Sequence, residues 1–272
     1  MVLDSNGEVG DRLLTVAAPR LRYGQLRVVS TVAVIGFLLG SCGGSSDPSD
    51  QVRVSAASSL SDVFAELESA FEAANPGVDV ILNLGGSSLL REQILAGAPV
   101  DVYASASADT MAPIVEAGLS EGEPTVFARG LLQIAVPVGN PAHVTGLDDF
   151  GNEKLFIGLC DQPVPCGDLA RQVLARAGVD PIVDTGSPNV RSLLTKIETG
   201  ELDAGIVYVT DVRSMPGRVD GIAIPDAVNM AADYPIAVLA EGPNSDGARS
   251  FVDFVLSEIG QTILAGHGFV AP

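Results

Sequence analysis

The feature that most constrains the fold is the alternation of short apolar strands with amphipathic helices from residue 52 onward. Residues 52–57 alternate apolar and polar side chains, as a half-buried strand does. Apolar residues then recur at helical spacing from Leu60 to Phe71, and Asn75 before Pro-Gly ends that helix. The further predicted strands are 78–84, 101–105, 131–136, 154–159, 204–209 and 234–240. The further predicted helices are 89–95, 109–117, 168–177, 190–199, 251–256 and 259–265.

This alternation predicts an α/β protein in which helices flank a largely parallel sheet. A loop rich in Gly, Pro and Glu at 118–124 divides the pattern into two halves of about a hundred residues each. The terminal segment is expected to return to the first half. Ligands in such folds bind beyond the carboxyl ends of the strands, where the helices begin.

Charge excludes several classes of partner. The chain has 15 basic and 34 acidic residues, a net charge of −19, and its only lysines are Lys154 and Lys196. No basic patch is available to bind nucleic acid or an anionic lipid surface. Taken alone, this acidity also disfavours an anionic ligand.

The N-terminal segment has the features of an export signal. Arg20, Arg22 and Arg27 precede an apolar run at 31–40, which is too short to span a bilayer. The run ends in Leu-Gly-Ser-Cys42, which resembles the bacterial lipoprotein box. That resemblance implies a signal peptide at 1–41, a lipid on Cys42 and a flexible tether over 42–51. The alternative is an ordinary signal peptide with an incidental cysteine.

If Cys42 carries lipid, two cysteines remain in an oxidising compartment. Cys160 and Cys166 then lie within one loop, and we predict a disulfide between them. The alternative is two separate buried thiols. A metal site is less favoured because His143 and His267 are isolated in the sequence.

Four junctions between strands and helices combine small residues with hydroxyl groups. Ser59 is a natural N-cap with Asp62 as its capping-box partner, and Gly85-Gly-Ser87 opens the next helix. The other two junctions contain Cys166-Gly and Asn189-Val190. Free N–H groups and the positive end of the helix dipole make each helix start a potential anion site. Ordinary helix capping is the competing interpretation of any single junction.

No catalytic arrangement competes with a binding role. The sequence has no Gly-x-Ser-x-Gly elbow, no Walker A motif and no dinucleotide fingerprint, and neither histidine lies near a nucleophile junction. The acidic residues are spread along the chain and are interpreted as a solvated surface. We therefore expect no enzyme activity, no metal site and no cofactor.

Read together, the junctions resemble the periplasmic molybdate-binding proteins of bacterial ABC importers. The resemblance runs from about Val52 to Val270. It rests on Val-Ser-Ala-Ala-Ser-Ser-Leu-Ser-Asp-Val-Phe (54–64), Gly-Ser-Ser-Leu-Leu-Arg-Glu-Gln-Ile-Leu-Ala-Gly-Ala-Pro (86–99), Asp-Val-Tyr-Ala-Ser-Ala (101–106), Val-Pro-Cys-Gly (164–167), Asn-Val-Arg-Ser-Leu-Leu (189–194), Gly-Ile-Val-Tyr-Val-Thr-Asp (205–211) and Gly-Phe (268–269).

The resemblance implies a type II periplasmic-binding-protein fold, in which each lobe has a mixed, mostly parallel sheet flanked by helices. Lobe 1 would comprise 52–130 with 236–272, and lobe 2 would comprise 131–235. An oxyanion would be held between the lobes by neutral donors. The resemblance assigns a hydroxyl and a backbone N–H to this role on each of Ser59 and Ser87. It also assigns the backbone N–H groups of Cys166 and Val190, and the phenol of Tyr208. The loop 159–166 is one residue longer than the family pattern, which puts the Cys166 contact in question.

The implied function is an extracytoplasmic, lipid-anchored, monomeric receptor that captures molybdate or tungstate and delivers it to an ABC permease. A receptor of the same fold for another oxyanion or a small organic anion is the nearest alternative. A secreted hydrolase on an α/β scaffold and a surface lipoprotein without a small ligand are the alternatives from other classes.

Overall fold

A computed structural model describes residues 50–272 of the 272-residue chain. The predicted signal peptide, Cys42 and nearly all of the tether lie outside the described residues. Within 50–272, no helix has the length and apolar character needed to cross a membrane.

The N-terminal part of the fold is a parallel three-stranded unit with helical connections. Strand β1 pairs in parallel with both β2 and β3. The elements in chain order are β1 (Gln51–Ala57), a 3-10 turn (Ser58–Leu60), α1 (Ser61–Ala74), β2 (Asp79–Gly85), α2 (Ser87–Leu95), β3 (Val102–Ala104) and α3 (Ala108–Glu116). This is the strand–helix alternation that the sequence predicts.

The middle of the chain repeats the pattern around a longer strand. Its elements are β4 (Thr125–Pro137), a 3-10 turn (Leu147–Gly151), β5 (Ile157–Cys160), α4 (Pro165–Ala177), β6 (Thr185–Ser187), α5 (Val190–Glu198), β7 (Ala204–Tyr208), α6 (Val209–Arg213) and β8 (Val219–Ala223). The chain closes with β9 (Ala231–Val238), α7 (Ser245–Leu256) and α8 (Glu258–Gly266). The sequence prediction missed the short elements β6, β8 and α6.

The strands lie in the order β2-β1-β3-β9-β4-β7-β5-β6, with β8 beside β4. Strand β4 pairs with β9 over residues 125–131 and with β7 and β8 over 132–137. Among the described residues, four of the eight pairings are antiparallel. The sheet is therefore mixed, with a larger antiparallel share than expected, because β4 and β9 run against the strands on both sides.

The C-terminal helices pack against the N-terminal unit. The rings of Phe64 and Phe71 on α1 contact Phe251 on α7, with centroids 6.2 and 5.3 Å apart. Phe64 also contacts Phe127 on β4 at 5.9 Å. Such edge-on aromatic contacts add to the free energy of apolar burial. This packing holds α1, which directly follows the 3-10 turn that contains the candidate site residue Ser59.

Candidate functional site

Helix starts from both halves of the chain converge on one small cavity. All five residues assigned by the sequence resemblance line it. The complete lining is Ala57, Ser58, Ser59, Gly86, Ser87, Ala106, Val164, Pro165, Cys166, Asn189, Val190 and Tyr208. None of these side chains carries a charge, so any electrostatic attraction for an anion must come from N–H and O–H dipoles.

Ser59 lies inside the 3-10 turn that leads into α1, so the prediction that it is an N-cap is wrong. Helix α1 begins at Ser61 after Leu60, and no side chain caps it. The Ser59 Oγ instead accepts a hydrogen bond of 3.1 Å from Tyr234 Oη. The Asp62 carboxylate pairs elsewhere, with Arg191.

Ser87 is the first residue of α2, directly after Gly86. Its Oγ accepts the Ala106 N–H at 3.1 Å, which leaves its own hydroxyl proton available. Its carbonyl accepts the Tyr103 hydroxyl at 2.9 Å, which fixes the start of the helix. A Cβ on Gly86 would lie 2.6 Å from the Pro188 carbonyl oxygen, so glycine permits this close approach between two helix starts.

Cys166 and Val190 lie in the first turns of α4 and α5. N–H groups in a first helical turn have no acceptor within their own helix, so they are free to bind a ligand. The Asn189 side chain caps α5 by accepting the Ser192 N–H at 2.9 Å. Cys166 forms a disulfide with Cys160 at the end of β5, as predicted. Despite the longer loop, Cys166 lines the cavity.

Tyr208 ends β7 and is 1% exposed. Its ring packs edge-on against Tyr234, with centroids 5.8 Å apart. Burial raises the pKa of both phenols above the ordinary value of 10, so both remain protonated donors at neutral pH. Within residues 50–272, no hydrogen bond of good geometry reaches the Tyr208 hydroxyl.

Three charged side chains and one serine lie together beside the cavity. We call this set, which consists of Asp62, Arg191, Asp211 and Ser214, the Arg191 cluster. Arg191 pairs with Asp62 on α1, lies 3.2 Å through Nε from Asp211 Oδ1, and donates to Ser214 Oγ at 2.9 Å. Burial raises the pKa of Asp211 to about 7, against the opposing effects of the Arg191 charge and the Tyr208 N–H. The cluster therefore connects α1 with α5 and α6.

The comparisons with known proteins identify the family of this chain. A family model described as bacterial extracellular solute-binding protein matches residues 52–270. The molybdate-binding protein ModA of Mycobacterium tuberculosis is 34% identical over 254 residues, covering 90% of this chain and 97% of that protein. This chain belongs to the bacterial extracellular solute-binding protein family. The prediction of a binding protein rather than an enzyme is confirmed by that membership.

Solved structures confirm the fold class of this solute-binding protein. The substrate-binding domain of a molybdenum ABC transporter from Clostridium difficile, described as putative, superposes with a TM-score of 0.62 at 26% identity, covering 82% of this chain and 99% of that one. The sulfate-binding protein SubI of Mycobacterium tuberculosis superposes with a TM-score of 0.73 at 18% identity, covering 81% and 86%. Both matches support the predicted type II periplasmic-binding-protein fold.

Sequence reasoning missed two parts of the site of this solute-binding protein. The sequence pattern indicates only that Tyr234 begins a strand, whereas its hydroxyl contacts Ser59. Arg191 and Asp62 were interpreted as parts of helix starts, although they pair across 129 residues of sequence. Within 50–272, no group of three or more His, Cys, Asp or Glu side chains is arranged to hold a metal ion.

Proposed function

We propose that this solute-binding protein captures molybdate, and the similar oxyanion tungstate, in the neutral cavity and presents it to an ABC permease. The observation that carries the proposal is that Ser59, Ser87, Cys166, Val190 and Tyr208 line one cavity at converging helix starts. These are the positions at which the resemblance to molybdate-binding proteins places the ligand donors. The 34% identity to ModA over nearly the whole chain supports the same ligand.

The chemistry of the cavity fits a fully deprotonated oxyanion. A buried dianion is tolerated when donors reach all of its oxygens, and each hydrogen bond to a charged group contributes roughly 1.5–3 kcal/mol. A few such bonds give micromolar to nanomolar binding, which corresponds to about −8 to −12 kcal/mol. A protonated oxyanion would present a donor to a cavity lined by donors, and it would bind less well for that reason.

We further propose that residues 52–130 with 236–272 form one lobe and that 131–235 form the other. The change in the partner of β4 after Leu131, from β9 to β7 and β8, supports this division. The Ser88 hydroxyl donates to the Pro163 carbonyl at 2.7 Å, and under this division that bond crosses between the lobes. Closure around the ligand would then be the change that a permease detects.

The same proposal includes a monomeric receptor, anchored through lipid on Cys42 at the outer face of the cell membrane. The family description and the Leu-Gly-Ser-Cys42 sequence support this location. Labelling of expressing cells with a palmitate analogue tests it. Wild type is expected to incorporate label, and Cys42→Ser is expected to lose both label and membrane association.

A receptor for another oxyanion is the second candidate, and the structural similarity to a sulfate-binding protein favours it. Thermal unfolding with molybdate, tungstate, sulfate and phosphate separates the two, because a ligand that binds only the native state raises its stability. Molybdate and tungstate are expected to raise Tm strongly, and sulfate and phosphate only weakly. A larger shift with sulfate would replace the first candidate with the second. No shift with any of the four would overturn both.

A further inference from the structure

The two buried tyrosines lie side by side, with Tyr208 in the cavity lining and Tyr234 behind it. Tyr208 and Tyr234 are 1% and 0% exposed, and Phe127 and Phe269 pack edge-on against Tyr234 with centroids 6.4 and 5.3 Å away. Gly130 on β4 leaves the space that the pair occupies, because a Cβ there would lie 3.1 Å from Tyr234 Cε2 and 3.5 Å from its hydroxyl. The ring of Tyr234 is therefore held on several sides, and its hydroxyl has a defined direction.

That hydroxyl points at a cavity residue without lining the cavity itself. Tyr234 Oη donates to Ser59 Oγ at 3.1 Å, and no other hydrogen bond to Ser59 Oγ is found in the described part of the chain. Burial raises the pKa of Tyr234 well above 10, so its proton is retained. A serine hydroxyl that accepts one hydrogen bond still has its own proton to donate. The acceptor available to that proton would be an oxygen of a bound ligand.

Ser87 is held in the same way by a different group. Its Oγ accepts the Ala106 N–H at 3.1 Å. Each of the two cavity serines therefore accepts one hydrogen bond and can still donate its own hydroxyl proton. Hydrogen bonds arranged in such a chain strengthen one another. The donor behind Ser87 is backbone, whereas the donor behind Ser59 is a side chain and can be removed by substitution.

We propose that Tyr234 is a positioning residue, which makes Ser59 a hydrogen-bond donor to the bound oxyanion. This inference rests on the proposed function, because it requires an anion in the cavity. Tyr234 would act on ligand affinity through Ser59, whose hydroxyl it contacts. Removing its hydroxyl should allow the Ser59 side chain to rotate away from the donating orientation.

A double-mutant cycle measured by titration calorimetry with molybdate tests this role. Tyr234→Phe keeps the ring contacts and is expected to weaken binding about three- to tenfold, as loss of one neutral hydrogen bond would. In a Ser59→Ala background, Tyr234→Phe is expected to change the affinity by less than about twofold. A matched cycle with Ser87→Ala, which Tyr234 does not contact, is expected to give losses that multiply.

The outcomes separate the two proposals. An equal loss from Tyr234→Phe with and without Ser59 would show a packing role and overturn the inference, as would an unchanged affinity in the single variant. Thermal unfolding of the unliganded proteins checks that Tyr234→Phe remains folded. A wild-type protein that binds none of molybdate, tungstate, sulfate and phosphate would instead overturn the proposed function, and this inference with it.

Discussion

The Arg191 cluster is built from three of the chain segments that also line the neutral cavity beside it. Each segment places an uncharged group at the cavity and, one to three residues later, a charged group in the cluster. The pairs are Ser59 with Asp62, Val190 with Arg191, and Tyr208 with Asp211. Charge is thus kept within about one helical turn of the cavity but outside its lining. A cationic lining would attract any anion, whereas a neutral one depends on the number and direction of its donors.

The comparison also assigns different functions to the two regions. Under the lobe division proposed above, the Arg191–Asp62 pair joins the two lobes, and the cavity donors contact the ligand. If the comparison holds, changes in the cluster should alter stability and closure, and changes in the cavity should alter ligand affinity.

The largest expected effect comes from Arg191→Gln, which leaves the buried Asp211 without its cationic partner. Breaking a buried pair on one side costs about 3–5 kcal/mol, and denaturant unfolding at pH 8 should show a loss of this size. The loss should be smaller at pH 5.5. Burial raises the pKa of Asp211 to about 7, so this carboxyl is neutral at the lower pH and needs the partner less.

Arg191→Gln combined with Asp211→Asn is the control, because it removes both charges. This double variant should recover most of the lost stability at pH 8. Equal losses at the two pH values, or no recovery in the double variant, would show that the pair does not act through charge.

On the cavity side, Ser59→Ala and Ser87→Ala should each weaken molybdate binding about tenfold or more, since each removes a hydrogen bond to a charged ligand. The unliganded protein should lose about 1–3 kcal/mol of stability in each variant, because the Tyr234 hydroxyl or the Ala106 N–H loses its acceptor. Ser250→Ala serves as the control, because the exposed Ser250 hydroxyl donates to the Asp246 carbonyl on α7, away from the cavity. Calorimetric affinities that match the control would remove these serines from the site.

Sequence could predict the cavity better than the cluster for a physical reason. A helix start rich in small and hydroxyl residues is a local signature, so the junctions at Ser59, Ser87 and Val190 stand out in their own segments. The family resemblance then assigns ligand donors to them. An ion pair between Asp62 and Arg191 depends on which helices become neighbours, and no local pattern encodes that. Likewise, the strand alternation was predicted, but not that β4 and β9 pair antiparallel, because a strand pattern does not specify its partner.

The disulfide shows a third way to hold a cavity segment, by a covalent bond instead of charge or capping. Cys160–Cys166 fixes the first turn of α4 against the end of β5. We expect it to preorganise the Cys166 N–H, so reduction should weaken molybdate binding about three- to fivefold. Affinity before and after reduction, checked by a thiol count, measures this. Unchanged affinity would leave the disulfide without a role in binding.

A smaller effect is expected from Asp62→Asn, which removes one exposed partner of Arg191 but keeps Asp211 paired. Exposed ion pairs are worth at most about 1 kcal/mol, so affinity should fall no more than about fivefold, mainly through faster dissociation. Glu121→Gln is the matched control, because Glu121 pairs with Arg249 away from the cavity. Stopped-flow dissociation rates that are equal in the two variants would contradict a closing role for Asp62.

The smallest expected effect is that of salt on the association rate of molybdate, which distinguishes the net charge of the whole chain from the neutrality of the cavity. Removal of residues 1–41 leaves a net charge of −20, which repels an oxyanion at long range, while the cavity lining adds no charge. Salt should therefore raise the association rate of molybdate, by about twofold between low and physiological ionic strength, and leave dissociation nearly unchanged. An association rate that falls with salt would mean that a local positive field, such as that of Arg191, dominates the approach. The Arg191 cluster would then take part in attracting the ligand, and the division of roles between the cluster and the cavity would not hold during association.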